Sequence, residues 1–593
     1  MRRKNKNLFK RTARNSQSFE GKISVINFLF IILFLFLGYR LYNIQIKENL
    51  KFVNQAEALH DTTAILPPDR GLIYFQDKNK EYIPVAINKK YNSLYAIPKE
   101  IEDPEETSRF LSEIIPLSYE QIFSRLSKTD DPYEPLLKKI EDDDLIDNIQ
   151  NAQIKGIYLG EESYRYYPLG SSAAQVIGFV GETDDGLIKG RYGLESYYDT
   201  ILSGKKGIFM GIKDALGRLV RSNFSEEEKT IEGISIETTI DKNIQFATDR
   251  ILDDLIKYRE ASKGTIIVME VKTGRILALA NIPTFNLNDF SDIEDYSIFG
   301  NFATEERYEP GSVIKPFTMS AGIDTGKVTP DTTYIDKGYY DVGGFHIVNY
   351  ENQVYGKSTM RNVLEKSINT GAIFVAEKVG IEDLRKYFKK FGFSDTTGVD
   401  LPLEISGDLS NLEYPAYNPT NLATASYGAG ISVTPMELIK AYTAIANKGR
   451  LVTPYLVEST MDKTGNRTAL ISTESLSDFP QVIKQETAET LTSMLVGVIE
   501  NGFGGNAKIK GYSIAGKTGT SYISLKDKKG YSDEVIHTFV GFFPASNPKY
   551  IILVKMDKPQ WGKEAASYTV TLAFREVEQF LINYYNIPPD EEQ

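Results

Sequence analysis

The feature that most constrains this chain is an uncharged apolar run, Ile23 to Tyr39, which Arg40, Leu41 and Tyr42 extend to spanning length. A helix needs about 20 mostly apolar residues to cross a bilayer core. No second run of this kind follows, so one anchor is expected. Residues 1–22 hold eight basic side chains against Glu20 alone, and their +7 leaves −19 for the rest of a chain whose formal net charge is −12. Basic flanks stay on the cytoplasmic side of a membrane. The pattern predicts a cytoplasmic basic tail over 1–22, an anchor over 23–44, and everything after it on the outer side. A cleaved signal peptide ends in a small-x-small site. None follows Gly38, so the segment reads as an uncleaved anchor.

At 593 residues the remainder is too long for one ordinary core, and its 41% apolar share supports at least two folded domains. An acidic body argues against nucleic acid as a partner, because duplex binding rests on Lys and Arg neutralising phosphates. The chain has no cysteine, which removes disulfides, thiolate metal sites and cysteine nucleophiles together. His60, His346 and His537 are far apart and read as surface or packing residues, so a Ser-His-Asp mechanism has no motif behind it.

Between the anchor and residue 234, short β-like runs alternate with polar helices. Glu141 to Asp144 is an acidic stretch that reads as solvated surface, and Ser225 to Glu228 reads as a boundary. From 235 the texture changes. Thr265–Glu270 and Ile276–Ala280, joined by Lys272-Thr-Gly-Arg275, read as two buried strands with a tight turn. Thr538–Phe543 and Tyr550–Val554 supply two more near the far end. Val570, Ala573, Phe574, Val577, Phe580, Leu581 and Tyr584 then share one face of a final helix. Strands at both ends with helical sequence between them predict one α+β domain whose sheet is built from both ends.

Three short motifs in this second region carry chemistry. Glu309-Pro-Gly311 opens a turn into Ser312-Val-Ile-Lys315, and positions i and i+3 of a helix share a face, so the amine can approach the hydroxyl. A serine hydroxyl needs a base, and a lysine serves as one only when burial or a neighbouring cation discourages its ammonium. Ser367-Ile-Asn369 offers a hydroxyl to relay a proton and an amide that both donates and accepts. Lys517-Thr-Gly-Thr520 reads as strand: Thr518 and Thr520 share a face, Gly519 leaves room for another backbone, and lysine with hydroxyls suits a carboxylate. Each motif alone is also an ordinary helix face, cap or turn.

Together, in this order and with 55 residues from Ser312 to Ser367, they resemble the Ser-x-x-Lys, Ser-x-Asn and Lys-Thr-Gly set of the penicillin-binding proteins and serine β-lactamases. Arg70-Gly-Leu-Ile73 and Gly193-Leu-Glu195 with Tyr198 resemble the pedestal of class B penicillin-binding proteins, the monofunctional D,D-transpeptidases. Tyr427-Gly-Ala-Gly-Ile-Ser-Val-Thr-Pro435 is similar to a loop of their transpeptidase domains. The resemblance implies an elongated α/β pedestal, dimerisation-like, over 45–234, and a penicillin-binding transpeptidase domain over 235–587, an antiparallel sheet sandwiched by helices. A short tail, 588–593, follows.

It further implies that Ser312 attacks the D-Ala-D-Ala carbonyl of a donor stem peptide with Lys315 as base. Ser367 would pass a proton to the leaving amine and Asn369 would hold the substrate amide. Lys517, Thr518, Gly519 and Thr520 would form the carboxylate site, with the backbone N–H groups of Ser312 and Thr520 as oxyanion hole. An amine from a second stem peptide then takes the acyl group, and β-lactams mimic the donor. No metal or organic cofactor is implied. Ile368 stands where β-lactamases carry Asp, and no Glu-x-x-Leu-Asn is found, so fast penicillin hydrolysis is not expected. The likeness favours the division-specific type; alternatives are an elongation-type enzyme, a D,D-carboxypeptidase, or a penicillin-binding scaffold or sensor. Implied partners are a polytopic glycosyltransferase of the shape, elongation, division and sporulation family and other wall-synthesis proteins, at a bacterial cell membrane crossed once.

Overall fold

The computed structural model describes residues 9–48, 62–66, 68–128, 133–183, 188–213, 219–220, 226–415, 418–471, 478–525, 530–561 and 565–590. The charges of the basic tail, His60, Ser225 and residues 591–593 lie outside what is described. The chain divides into two compact units, one of Met1–Pro68 with Lys205–Ile231, the other of Asp69–Gly204 with Glu232–Gln593.

In the first unit a helix, α1 (Phe9–Tyr42), runs into a π-helical turn over Asn43–Lys47. Within it, Ile23–Lys47 is long and apolar enough to cross a membrane, at 25 residues. Its apolar side chains point outward, Phe34 at 79% exposure, as in a helix whose apolar surface meets lipid. The same unit holds a small antiparallel sheet in which Gly207–Lys213 pairs with Thr62–Leu66, Glu226–Glu228 and Leu219–Val220.

The second unit contains two large sheets. The first is built on β1 (Ile73–Gln76), β2 (Tyr82–Ala96), β3 (Glu134–Ile140), β4 (Ile157–Tyr166) and β5 (Ser235–Asp241). β2 pairs with β1, β3 and β4, while β5 lies parallel to β1 and antiparallel to Val457–Met461. One sheet therefore runs from residue 73 across to residues beyond 450. The two pedestal motifs are joined by ion pairs. Arg70 reaches Glu195 at 2.6 Å and Asp199 at 2.8 Å, and Arg165 takes the other Glu195 oxygen at 2.6 Å. Glu195 is fully buried, and two guanidinium groups compensate its charge. The acidic stretch at 141–144 is exposed, and Asp142 caps the helix that follows by accepting from Leu145 N–H.

The second sheet lies further along the chain, after α2 (Lys242–Arg259). Its strands are β6 (Lys263–Glu270), β7 (Ile276–Ile282), β8 (Ala515–Ser524), β9 (Tyr531–Phe543) and β10 (Tyr550–Asp557), in the order β7-β6-β10-β9-β8, all antiparallel. Sequence from both ends of the region thus meets in one sheet, as its pattern predicts. All eight residues of β10 are buried, because the sheet is covered on both faces. Ile551 and Leu553 enter one apolar cluster together with residues of helices α3 (Lys315–Asp324), α4 (Asn369–Val379), α5 (Pro435–Ala446) and α6 (Gln485–Asn501). Ile552, Val554 and Met556 enter the other, with α2 and α7 (Val570–Tyr585). Of the α7 stripe read from the sequence, Val570, Ala573, Phe574, Val577 and Leu581 are buried, and Phe580 and Tyr584 are half-buried against the same cluster.

Candidate active site

The site begins at a turn. Gly311 has φ +59°, a left-handed conformation that favours glycine, and the chain then makes a 3₁₀ turn over Gly311–Ile314 before α3 starts at Lys315. Two neighbours hold this turn. Gly311 N–H donates to the Gly428 carbonyl at 3.0 Å, and the buried Tyr442 hydroxyl donates to the Val313 carbonyl at 2.7 Å. Gly428, at φ +90°, has no room for a side chain: a Cβ there would lie 2.1 Å from Gly311 O. Ser312 sits on the turn, half-buried.

Lys315 is 1% exposed. Its amine donates to the Ser367 carbonyl at 2.5 Å, to Asn369 Oδ1 at 2.7 Å and to Ser367 Oγ at 3.2 Å, so its contacts go to the second motif rather than to Ser312. Lys517 is fully buried and donates to the same Ser367 Oγ at 2.9 Å and to the Thr518 carbonyl at 3.0 Å. One hydroxyl therefore joins two lysines from segments 202 residues apart in sequence. Burial pushes the Lys315 amine well below its ordinary range, and the nearby Lys517 charge pushes it further. Burial alone brings Lys517 down to about 7. These are the conditions under which a lysine amine becomes a base near neutral pH.

Ser367 takes a left-handed φ of +53° just ahead of α4, a conformation costly for a residue with a Cβ and concentrated at functional sites. Ile368 turns its side chain fully into the core, away from both lysines' contacts. Asn369 opens α4, and its amide also donates to the Val348 carbonyl at 2.9 Å.

β8 supplies the opposite wall. A Cβ on Gly519 would lie 2.9 Å from Pro310 O, and one on Gly311 would lie 3.1 Å from Thr520 O, so the strand and the Ser312 turn are in backbone contact. Thr520 Oγ1 accepts from Ala566 N–H at 3.1 Å, which leaves its own hydrogen to donate. All eight residues singled out in the sequence thus lie on the turn, at the start of α3, at the α4 entry or on β8, and these segments touch one another. Of the histidines, His537 is buried against Thr569 Oγ1 at 2.8 Å and His346 pairs with Asp341 on an exposed hairpin. The sequence reading missed Gly428 and Tyr442 as supports of the turn. The Gly-rich 427–430 segment carried a signal for the first; Tyr442, within an apolar helix, carried none.

Comparison with known proteins agrees with this architecture. Residues 264–577 match the penicillin binding protein transpeptidase domain, and residues 65–238 the penicillin-binding protein dimerisation domain. Stage V sporulation protein D of Bacillus subtilis is 31% identical over 533 residues, 89% of this chain and 80% of that protein. Peptidoglycan D,D-transpeptidase FtsI of Escherichia coli is 28% identical over 516 residues, 86% of this chain and 83% of that one. Penicillin binding protein 3 of Mycobacterium tuberculosis, solved with aztreonam, is similar in structure with a TM-score of 0.67 at 26% identity, covering 89% of this chain and 98% of that one. The chain belongs to the class B penicillin-binding proteins.

Proposed function

We propose that this chain is a peptidoglycan D,D-transpeptidase working in septal wall synthesis through an acyl-enzyme on Ser312, and that β-lactams acylate the same residue. The observation that carries the proposal is the pair of buried lysines on one hydroxyl, Lys315 and Lys517 on Ser367 Oγ. Ser312 Oγ attacks the carbonyl of the penultimate D-Ala and its proton passes to Lys315. The carbonyl oxygen takes the negative charge, which the N–H groups of Ser312 and Thr520 stabilise. The C–N bond to the terminal D-Ala then breaks, and Ser367 relays a proton to the departing amine. Asn369 holds the donor amide. Lys517, Thr518 and Thr520 bind the terminal carboxylate, Gly519 admitting the turn against the strand. An acceptor amine next attacks the ester, forms the new amide and returns Ser312 to its hydroxyl form.

The same reading assigns residues 1–22 to the cytoplasm, 23–44 to the bilayer, and the pedestal (45–234) and transpeptidase domain (235–587) to the outer side, with 588–593 as a tail. The basic tail supports this orientation. A polytopic glycosyltransferase of the shape, elongation, division and sporulation family, with other wall-synthesis proteins, is the proposed partner, the anchor packing against its helices.

The test is covalent labelling with a fluorescent penicillin, wild type against Ser312→Ala, with the labelled peptide mapped by mass spectrometry. Label on Ser312 that vanishes in the variant is expected. A folded protein that takes no label, or takes it elsewhere, removes the assignment.

A further inference from the structure

The buried carboxylate of Asp336, at the end of the strand Thr333–Asp336, has no place in the steps above. It accepts from Thr370 Oγ1 at 2.6 Å, from the Tyr355 and Gly338 backbone N–H groups at 2.7 and 2.9 Å, and from Asn349 Nδ2 at 3.0 and 3.1 Å. Burial alone would raise the carboxyl, but these bonds take it below its ordinary range, so it stays an acceptor only. One acid thus ties the segment 338–355 to the first turn of α4, the helix that Asn369 opens.

Asn349 completes the tie. Ile368, at the N-cap of α4, offers no side chain to the free N–H groups of the first turn. Asn349 Oδ1 takes that place and accepts from Thr370 N–H at 3.2 Å. Beside it, the Val348 carbonyl accepts from Asn369 Nδ2 at 2.9 Å. Two consecutive residues of one segment therefore hold two consecutive residues of the helix entry. This decides which way round the Asn369 amide lies. Its nitrogen faces Val348 O and its oxygen faces the Lys315 amine at 2.7 Å, whereas the reversed amide would set donor against donor. Val348 takes one amide hydrogen, and the other remains to donate.

We propose that Asp336, through Asn349 and Thr370, is a positioning residue of the acyl transfer: it sets the α4 entry so that Asn369 presents its second amide hydrogen to the carbonyl of the donor amide. The proposal rests on Ser312 being the acyl-transfer nucleophile and on Asn369 holding the donor amide. A residue that only kept the 338–355 segment folded would affect every ligand alike. One that sets Asn369 affects ligands that have an amide carbonyl to hold.

The experiment uses the full chain in detergent and two β-lactams: benzylpenicillin, which carries an acylamino carbonyl beside the lactam, and aminopenicillanic acid, the same nucleus without that acyl group. The second-order acylation rate constant for each is followed by intact-protein mass spectrometry, and their ratio on one protein cancels any general damage a variant suffers. Asn369→Ala is expected to lower the ratio about tenfold, a hydrogen bond's worth. Asp336→Asn, which places an amide N–H2 among donors, is expected to lower it by a similar factor, and the double variant to fall no further than Asn369→Ala alone. Thr370→Val, which loses only the hydroxyl, is expected to lower the ratio in the same direction and decides the matter if Asp336→Asn does not fold. Asp336→Asn or Thr370→Val slowing both β-lactams equally overturns the proposal, as does a double variant whose ratio drops below that of Asn369→Ala. An Asn369→Ala variant that keeps the wild-type ratio removes the donor-amide role of Asn369 and this proposal with it. A folded wild type that neither β-lactam acylates removes the Ser312 reading first.

Discussion

Gly519→Ala adds a single methyl group at the place where β8 meets the turn that carries Ser312, the proposed nucleophile. The new Cβ would lie 2.9 Å from Pro310 O, 3.0 Å from Val313 Cγ1 and 3.3 Å from Val313 N. Ordinary contact begins at 3.4 Å, so the backbone just before Ser312 has to retreat by about 0.5 Å. A misplacement of about 1 Å near a reacting group costs on the order of 100-fold in rate, so half that displacement gives about tenfold. Overpacking adds about 1–3 kcal/mol of destabilisation. The assay is the second-order rate constant for penicillin acylation, measured well below the melting temperature. Gly541→Ala is the comparison, because its Cβ would meet the Phe574 ring at 2.8 Å in the cluster shared with α7. It should lower the melting temperature similarly and acylate normally. Gly519→Ala acylating at the wild-type rate, or Gly541→Ala slowed just as much, would refute the link between strand contact and nucleophile position.

Lys517→Met should abolish acylation yet stabilise the fold at pH 6. The unfolded chain keeps this proton up to its ordinary 10.5 while the folded protein sheds it above about 7, so stability rises with pH between those values and the cost of burial is full below 7. At about 1.4 kcal/mol per pH unit the gain is a few kcal/mol at pH 6 and fades towards pH 10.5 in thermal melts. Ser367→Ala and Ser367→Gly should both slow acylation about 100-fold. The glycine variant should melt higher of the two, because φ +53° strains any residue with a Cβ; equal melting temperatures would show the strain to be negligible. Glu578, on α7, is buried with neither carboxylate oxygen hydrogen-bonded, and burial lifts its pKa well above 4.5. The unfolded chain ionises first, so stability falls as pH rises past 4.5. Glu578→Gln should therefore stabilise by about 1–3 kcal/mol at pH 8 and by nothing at pH 4, read from denaturant midpoints.

What the sequence made legible was local. The stripe of α7, the apolar strands at both ends of the sheet and the three motifs each depend on residues within about one element of each other. The contacts that turn the motifs into a site join distant segments. Gly428 against Gly311 spans 117 residues and Tyr442 against Val313 spans 129, and nothing in either segment's pattern points to the other. The same holds for β5, whose parallel partner β1 lies about 160 residues earlier, so that strands on either side of residue 234 share one sheet. The left-handed Ser367 was equally hidden, since serine carries no signal for that conformation.

Two unpaired lysines in a protein interior oppose folding, and each is expected to shed its proton or find acceptors. Here the acceptors are few and shared, namely the Ser367 hydroxyl and carbonyl, Asn369 Oδ1 and the Thr518 carbonyl. Such an arrangement persists only if the segments bearing them cannot separate to admit water. The sheet meets that need, because β8 is hydrogen-bonded along its length to β9, which is covered by apolar clusters on both faces, and the turn is held by Gly428 and Tyr442. Loosening any of these holds would hydrate Lys315 and raise its pKa towards that of a free lysine. The fold and the chemistry are therefore coupled through desolvation: variants such as Tyr442→Phe should shift the lower limb of the pH–acylation profile upward before they measurably change the melting temperature. A profile that keeps its midpoint while acylation slows would mean that Tyr442 acts on the position of Ser312 alone.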